Sequence, residues 1–225
     1  MLNMAFACID VGIVTPIHFT YPIFVTLGCV IFFHEKLSKQ KVFALIIAMS
    51  GIGCFFITAL NSASFGKSTL LGLILAVASG IFYAFYIIFM DKSGLKSEPP
   101  FKITFYVAIA STVGMFIYGM LTKELVLSSL THKAWGLSAI FAFLCTVVAL
   151  SLLQVGIKYI GASEAAVIST FEPITSVIFG AILLGEEITL MKIIACSLIF
   201  AGVLILSFAK EKTKSNIKIK ESVTN

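Results

Sequence analysis

Apolar residues along this chain gather in seven long runs, and within each run they cover every face of a helix rather than one stripe. The runs fall at 13–33, 42–60, 70–90, 103–121, 135–157, 163–184 and 190–208. Between them stand short segments that hold most of the charges and turn formers: "HEKLSKQK", "NSASFGKS", "DKSGLKSEPP", "THK", "KYIGAS" and "GEE". A helix rises about 1.5 Å per residue, so roughly 20 residues cross the hydrocarbon of a bilayer. Backbone groups in hydrocarbon must be bonded within their own segment, which selects helices. Strands of a membrane barrel would alternate in polarity, and these runs do not. The pattern predicts an all-α, multi-pass membrane protein with seven transmembrane helices.

Composition sharpens this. The 225 residues are 59% hydrophobic and 12% charged, with a mean hydropathy of +1.07. A soluble domain is about a quarter charged. The 16 basic residues are all lysine and lie in short connections and a tail, not clustered on a folded surface as a nucleic-acid partner requires. With the C-terminus inside, Lys36, Lys39, Lys41, Lys92, Lys96, Lys102, Lys158 and the tail lysines face the cytoplasm, while Lys67, Lys123, Lys133 and Lys192 face out. This excess predicts a cytoplasmic C-terminus in the cell membrane. The cysteines, Cys8, Cys29, Cys54, Cys145 and Cys196, lie in apolar runs without ligand spacing. They read as small hydrophobes in helices, with no metal and no cofactor.

The chain also repeats itself. Shifted by 151 residues, Pro22 falls on Pro173, Glu35 on Glu186, Leu37 on Ile188, Ser38 on Thr189, Lys41 on Lys192 and Gly51 on Gly202. By the lysine count the first connection lies inside and the second outside, so the copies run in opposite directions. Inverted repeats are a recurring plan of secondary transporters, with the substrate site where the repeats meet.

"HFTYPIFVTLGCVIFFHEKLS" and "FEPITSVIFGAILLGEEIT" resemble the two halves of EamA-like transporters of the drug/metabolite transporter superfamily. The resemblance runs over the chain up to the tail. It implies a bundle of ten helices in two inverted five-helix repeats, both ends cytoplasmic, carrying small metabolites and commonly exporting amino acids. On that plan, residues 1–60 are the C-terminal part of the first repeat (the end of helix 3 and helices 4 and 5), 61–208 the complete second repeat, and 209–225 a basic cytoplasmic tail. Seven of ten helices are then present. The expectation follows that an N-terminal segment is missing or that the chain self-associates, and that the 225 residues do not transport alone.

Polar groups inside the runs are the candidate chemistry. Glu172 lies near the middle of its run, where a charge costs on the order of 3 kcal/mol and rarely faces lipid. Helical spacing puts Ser169, Thr175 and Ser176 on its face. In the first copy the corresponding face carries His18 and Tyr21. Substrate or proton passage along Glu172, Ser169, Thr175, His18 and Tyr21 is one reading; hydrogen-bonded glue between helices is the other. Pro22 and Pro173 lack an N–H and are expected to kink their helices, freeing the carbonyls of His18 and Ser169 for a ligand or for a neighbouring helix. Ser79, Tyr83 and Tyr86 on one face, and Ser151 with Gln154 on another, are further cavity candidates in competition with plain packing. Glu35 and Glu186 read as helix-end caps or lysine partners. No enzyme motif is present: "HEKLS" lacks the second His of a zinc protease helix, and "GIG" is not a phosphate loop.

The reading that joins these features is a secondary carrier, exporting a small metabolite such as an amino acid and coupled to protons, with a small-molecule substrate and the lipid bilayer as its partners. The rival is a non-transporting membrane protein, an accessory or sensor subunit or an inactive remnant.

Overall fold

A computed structural model describes residues 1–9, 11–62, 69–122, 131–185 and 187–206. Glu186, Lys67, Lys123 and the basic tail, which entered the readings of capping and orientation, lie outside the described residues. Among those described, the regular structure is helical, with no strand. Six helical stretches are long and apolar enough to span a bilayer: Val11–Phe33, Lys39–Thr58, Thr69–Lys92, Pro100–Thr122, His132–Ile160 and Ala162–Leu183. The seventh run gives a shorter apolar helix, Leu190–Leu206, that reaches the limit of the described residues.

The spans holding Pro22 and Pro173 are not single helices. The first is α2 (Val11–His18) followed by α3 (Tyr21–Phe33), after an N-terminal α1 (Leu2–Cys8). The sixth is α9 (Ala162–Ser169) followed by α10 (Glu172–Leu184). Each proline sits in the first turn of the second helix of its pair, where its missing N–H is no loss. The two breaks have the same bonding. The N–H of Thr20 bonds the carbonyl of Ile17, and that of Ile23 bonds Thr20; Phe171 bonds Ile168 and Ile174 bonds Phe171 in the same way. Threonine hydroxyls cover carbonyls at both sites, Thr20 on Ile17 and Thr170 on Val167, each at 2.6 Å. A proline alone would kink a helix; here the preceding turn closes on itself and the chain restarts.

Both pairs also end alike. His34 (φ 53°) and Gly185 (φ 68°) stop α3 and α10 in the left-handed conformation. The His34 N–H returns to the Val30 carbonyl at 3.1 Å, with the Glu35 N–H on that of Cys29, and the Gly185 N–H returns to the Gly180 carbonyl. This is a common helix stop that suits glycine and strains histidine. The following helices are α4 (Lys39–Ser62) and α11 (Leu190–Leu206). A Cβ added at Gly51 of α4 would lie 2.6 Å from the Ala195 carbonyl oxygen; one added at Gly202 of α11 would lie 2.8 Å from that of Ala44. Ala44 and Ala195, like Gly51 and Gly202, are 151 residues apart. The contact is therefore reciprocal, as a two-fold relation between the copies requires. Four span-length helices lie between the first span and the sixth in chain order, so alternate crossing turns the copies antiparallel.

The chain divides into two units by packing. One comprises Met1–Ile88 with the segment from Ala162 onward; the other is Phe89–Gly161. In the first, α5 (Thr69–Lys92) joins α1–α4 and α9–α11. Its core is built largely from small side chains. Ala5, Ala44, Ala48, Ala76, Ala166 and Ala195 are fully buried, as expected where helices approach closely in lipid. Thr26 and Ser163 share a buried hydrogen bond of 3.1 Å between α3 and α9.

The second unit holds α6 (Pro100–Thr122), α7 (His132–Ala142), a π-helical segment Phe143–Ala149, and α8 (Leu150–Ile160). Helix α6 packs on α8 where Thr104 and Ser151 hydrogen-bond at 3.0 Å in a buried site. Beyond that contact most of its side chains are outward, and the large ones are apolar, among them Phe105, Ile109, Val113, Phe116 and Leu121. Such a surface is untenable in water and ordinary against acyl chains. Of the cysteines, Cys29 is buried, Cys145 of the π segment is exposed, and the other three are half-buried.

Candidate functional site

The two helix breaks and one face of α5 meet in the first unit. His18 ends α2, Tyr21 opens α3, Ser169 ends α9 and Glu172 opens α10, while Ser79, Tyr83 and Tyr86 follow one another along α5. Close approach is possible because Gly80 stands where the chain leaves α2: a Cβ there would lie 3.2 Å from the His18 carbonyl oxygen. Thus the carbonyl expected to be freed by Pro22 is packed against the backbone of α5.

His18 Nδ1 and Ser79 Oγ are 3.0 Å apart. The Ser79 hydroxyl has one proton and gives it to the Ala76 carbonyl at 2.7 Å. It therefore accepts from Nδ1–H, and the Nε2 of a neutral His18 is left as an acceptor. The imidazole lies 5.7 Å from the Tyr21 ring and 5.4 Å from that of Tyr83. Tyr21 meets Tyr83 edge-to-face at 4.8 Å, and Tyr83 stacks with Tyr86 at 6.1 Å. These are the separations favoured by aromatic pairs. Tyr21 is buried as the floor of the cluster, and its hydroxyl hydrogen-bonds with Ser169. His18, Tyr83 and Tyr86 are half-buried, while Glu172 is exposed at the edge. Its carboxyl group lies close enough to Tyr21 and Tyr83 to interact with both. Among the described residues, no lysine pairs with Glu172.

Five sequence candidates, His18, Tyr21, Ser79, Tyr83 and Tyr86, thus share one cluster, and Ser169 and Glu172 border it. The helical-face argument linking Ser169 to Glu172 does not carry over, because a break lies between them; at the cluster the first copy meets the second through Tyr21 and Ser169. Thr175 is half-buried and spends its hydroxyl on the Glu172 backbone carbonyl at 2.7 Å. Ser176 is exposed. Ser151 and Gln154 belong to the second unit, where both are buried.

Asp91, absent from the sequence reading, is a buried acid in the second unit. Its carboxylate takes Lys92 Nζ at 2.9 Å and Lys96 Nζ from the 3₁₀ turn Gly94–Ser97. Lys158 of α8 donates to the Ser97 carbonyl at 3.3 Å. An acid ending an apolar run, with lysines one and five residues on, was the available signal.

The sequence signature of the EamA-like transporter family matches residues 70–208. An uncharacterized transporter of Synechocystis sp. is 27% identical over 211 residues, 93% of this chain and 63% of the relative. One from Bacillus subtilis is 28% identical over 202 residues, covering 86% and 62%. The chain thus spans under two thirds of the length of these relatives. A solved crystal structure superposes with a TM-score of 0.75 at 15% identity, covering 94% of this chain and 72% of that one, so the helical architecture is shared.

Proposed function

This chain belongs to the EamA-like transporter family, and we propose that it acts as a secondary carrier of a small metabolite across the cytoplasmic membrane, outward and coupled to protons. The observation that carries this reading is Glu172, an acid in an apolar span without a lysine partner among the described residues, at the edge of the His18–Tyr21–Tyr83 cluster. An intramembrane carboxylate so placed is suited to exchange a proton against substrate. The helix breaks at Thr20 and Phe171 supply points about which the halves of each span can pivot. The lysine distribution supports a cytoplasmic C-terminus, with Lys96 inside and Lys133 outside.

The test is transport in liposomes holding the purified chain in a form extended to the length of its relatives, since the 225 residues are not expected to transport alone. Under an imposed pH gradient, a panel of labelled amino acids and amines should yield at least one compound that accumulates, and Glu172→Gln should accumulate none at equal insertion. Gradient-driven uptake unchanged in Glu172→Gln overturns its role, and uptake of nothing by the extended form with Glu172 intact overturns the carrier reading. Impermeant thiol labelling of a cysteine placed at Lys96 from the outer side would reverse the orientation.

A further inference from the structure

We propose that the cluster recognises a small organic cation, a protonated amine whose ammonium group lies between Glu172 and the ring faces of Tyr83 and Tyr86. The inference rests on the transporter reading of this site and names its substrate class.

The charges around the cluster decide the head group. Among the described residues, the cluster offers one carboxylate, hydroxyls and aromatic faces. The described lysines of the first unit, Lys36, Lys39, Lys41 and Lys192, stand in or next to its interhelix connections, at or beyond the helix ends. An anionic guest would meet the Glu172 carboxylate and the negative faces of the rings together. A zwitterion would satisfy its ammonium but bring its own carboxylate to the same place. Ring nitrogens give it little help, because His18 Nδ1 is already committed to Ser79. A cation meets no such conflict: it neutralises Glu172 and is attracted by ring quadrupoles within about 6 Å of a centroid.

The shape agrees. Tyr21 closes the floor, edge-on to Tyr83 at 87°. Tyr83 and Tyr86 lie nearly parallel, 24° apart, and are half-buried. Glu172 is exposed at the rim. The cluster's one charge is thus exposed and the ring pair Tyr83–Tyr86 is partly so, which leaves the groups a cation uses accessible to a guest. An apolar group on the amine would extend against neighbouring aliphatic side chains.

Three probes with one ring and different head groups test this: phenethylamine, phenylalanine and phenylacetate, measured by equilibrium dialysis against the purified full chain in detergent. Phenethylamine should bind roughly tenfold or more tightly than phenylacetate, and Glu172→Gln should weaken it by a similar factor. Tyr83→Phe, which keeps the ring face, should bind nearly as the unaltered protein does. Tyr83→Leu should bind roughly threefold to thirtyfold more weakly. The proposal is overturned if phenylalanine or phenylacetate binds as well as the amine, if the amine does not bind, or if Tyr83→Phe and Tyr83→Leu are equal. Amine binding without gradient-driven flux would keep the cation site and discard the carrier reading. Flux of a zwitterion without amine binding would do the reverse.

Discussion

The segment α2–α4 and the segment α9–α11 share a backbone and differ in chemistry. Both break two residues before the second helix, restart with a proline in the first turn, stop on a left-handed residue, and cross each other through Gly51 and Gly202. Where the breaks face the cluster, however, the first copy carries His18 and Tyr21 and the second carries Ser169 and Glu172. The features held in common set the path of the chain, where only proline, glycine or a tolerated left-handed residue will serve. The features that differ are side chains whose identity the path does not constrain. The duplicated frame therefore holds a one-sided site, with an acid on one copy and aromatic and imidazole groups on the other.

The sharpest way to break this contrast is at the diverged position. Glu172→Gln should abolish pH-driven flux, whereas Tyr21→Phe, which keeps the ring and loses the hydroxyl bond to Ser169, should lower flux by roughly tenfold at most. Equal loss in both, measured in liposomes at matched protein content, would mean that the two copies contribute alike. The shared frame is tested by Gly51→Ala and Gly202→Ala. Each forces a Cβ onto a backbone carbonyl and should destabilise by about 1–3 kcal/mol. Gly53→Ala, with nothing within 4 Å of the added atom, should instead stabilise by up to about 1 kcal/mol. Thermal unfolding in detergent reads all three, and an effect confined to one of the two crossing glycines would end the reciprocity.

The helix stops give a smaller contrast of opposite sign. His34→Gly should stabilise and Gly185→Ala destabilise, each by about 1 kcal/mol, because the same left-handed conformation suits only the glycine. Smallest is the hydrogen bond between Thr26 and Ser163, whose counterparts Val177 and Gly12 have no hydroxyl. A double-mutant cycle with Thr26→Val and Ser163→Ala should give a coupling of about 0.6 kcal/mol, typical of such bonds in membrane helices.

The membrane-spanning architecture could be read from hydropathy because lipid imposes a length and forbids unpaired backbone. The repeat could be read because proline, glycine and glutamate are scarce enough for their coincidence at one offset to stand out. The breaks at Thr20 and Phe171 were hidden inside continuous apolar runs, since hydropathy reports solvent and is blind to whether the previous turn closes on a threonine hydroxyl. The site was legible only in parts. Glu172 stood out by charge, but the contact of His18 with Ser79 joins residues far apart in sequence, and only the packing at Gly80 makes it possible. Asp91 was passed over because an acid beside "KSG" looks like a solvated connection, whereas its two lysine partners let it be buried. The π segment at Phe143–Ala149 leaves no mark in a periodicity of apolar residues that already covers every face.

The glycine crossing of α4 and α11 has a consequence for how the chain responds to mutation. When one partner's residue i meets the other's residue j, and j meets i in return, the contact is isologous, the arrangement of a symmetric homodimer. Here both partners lie on one polypeptide, so the crossing has the pairing of a symmetric dimer built within a single chain. A substitution at one glycine therefore alters only one side of the contact, where in a homodimer it would alter both at once.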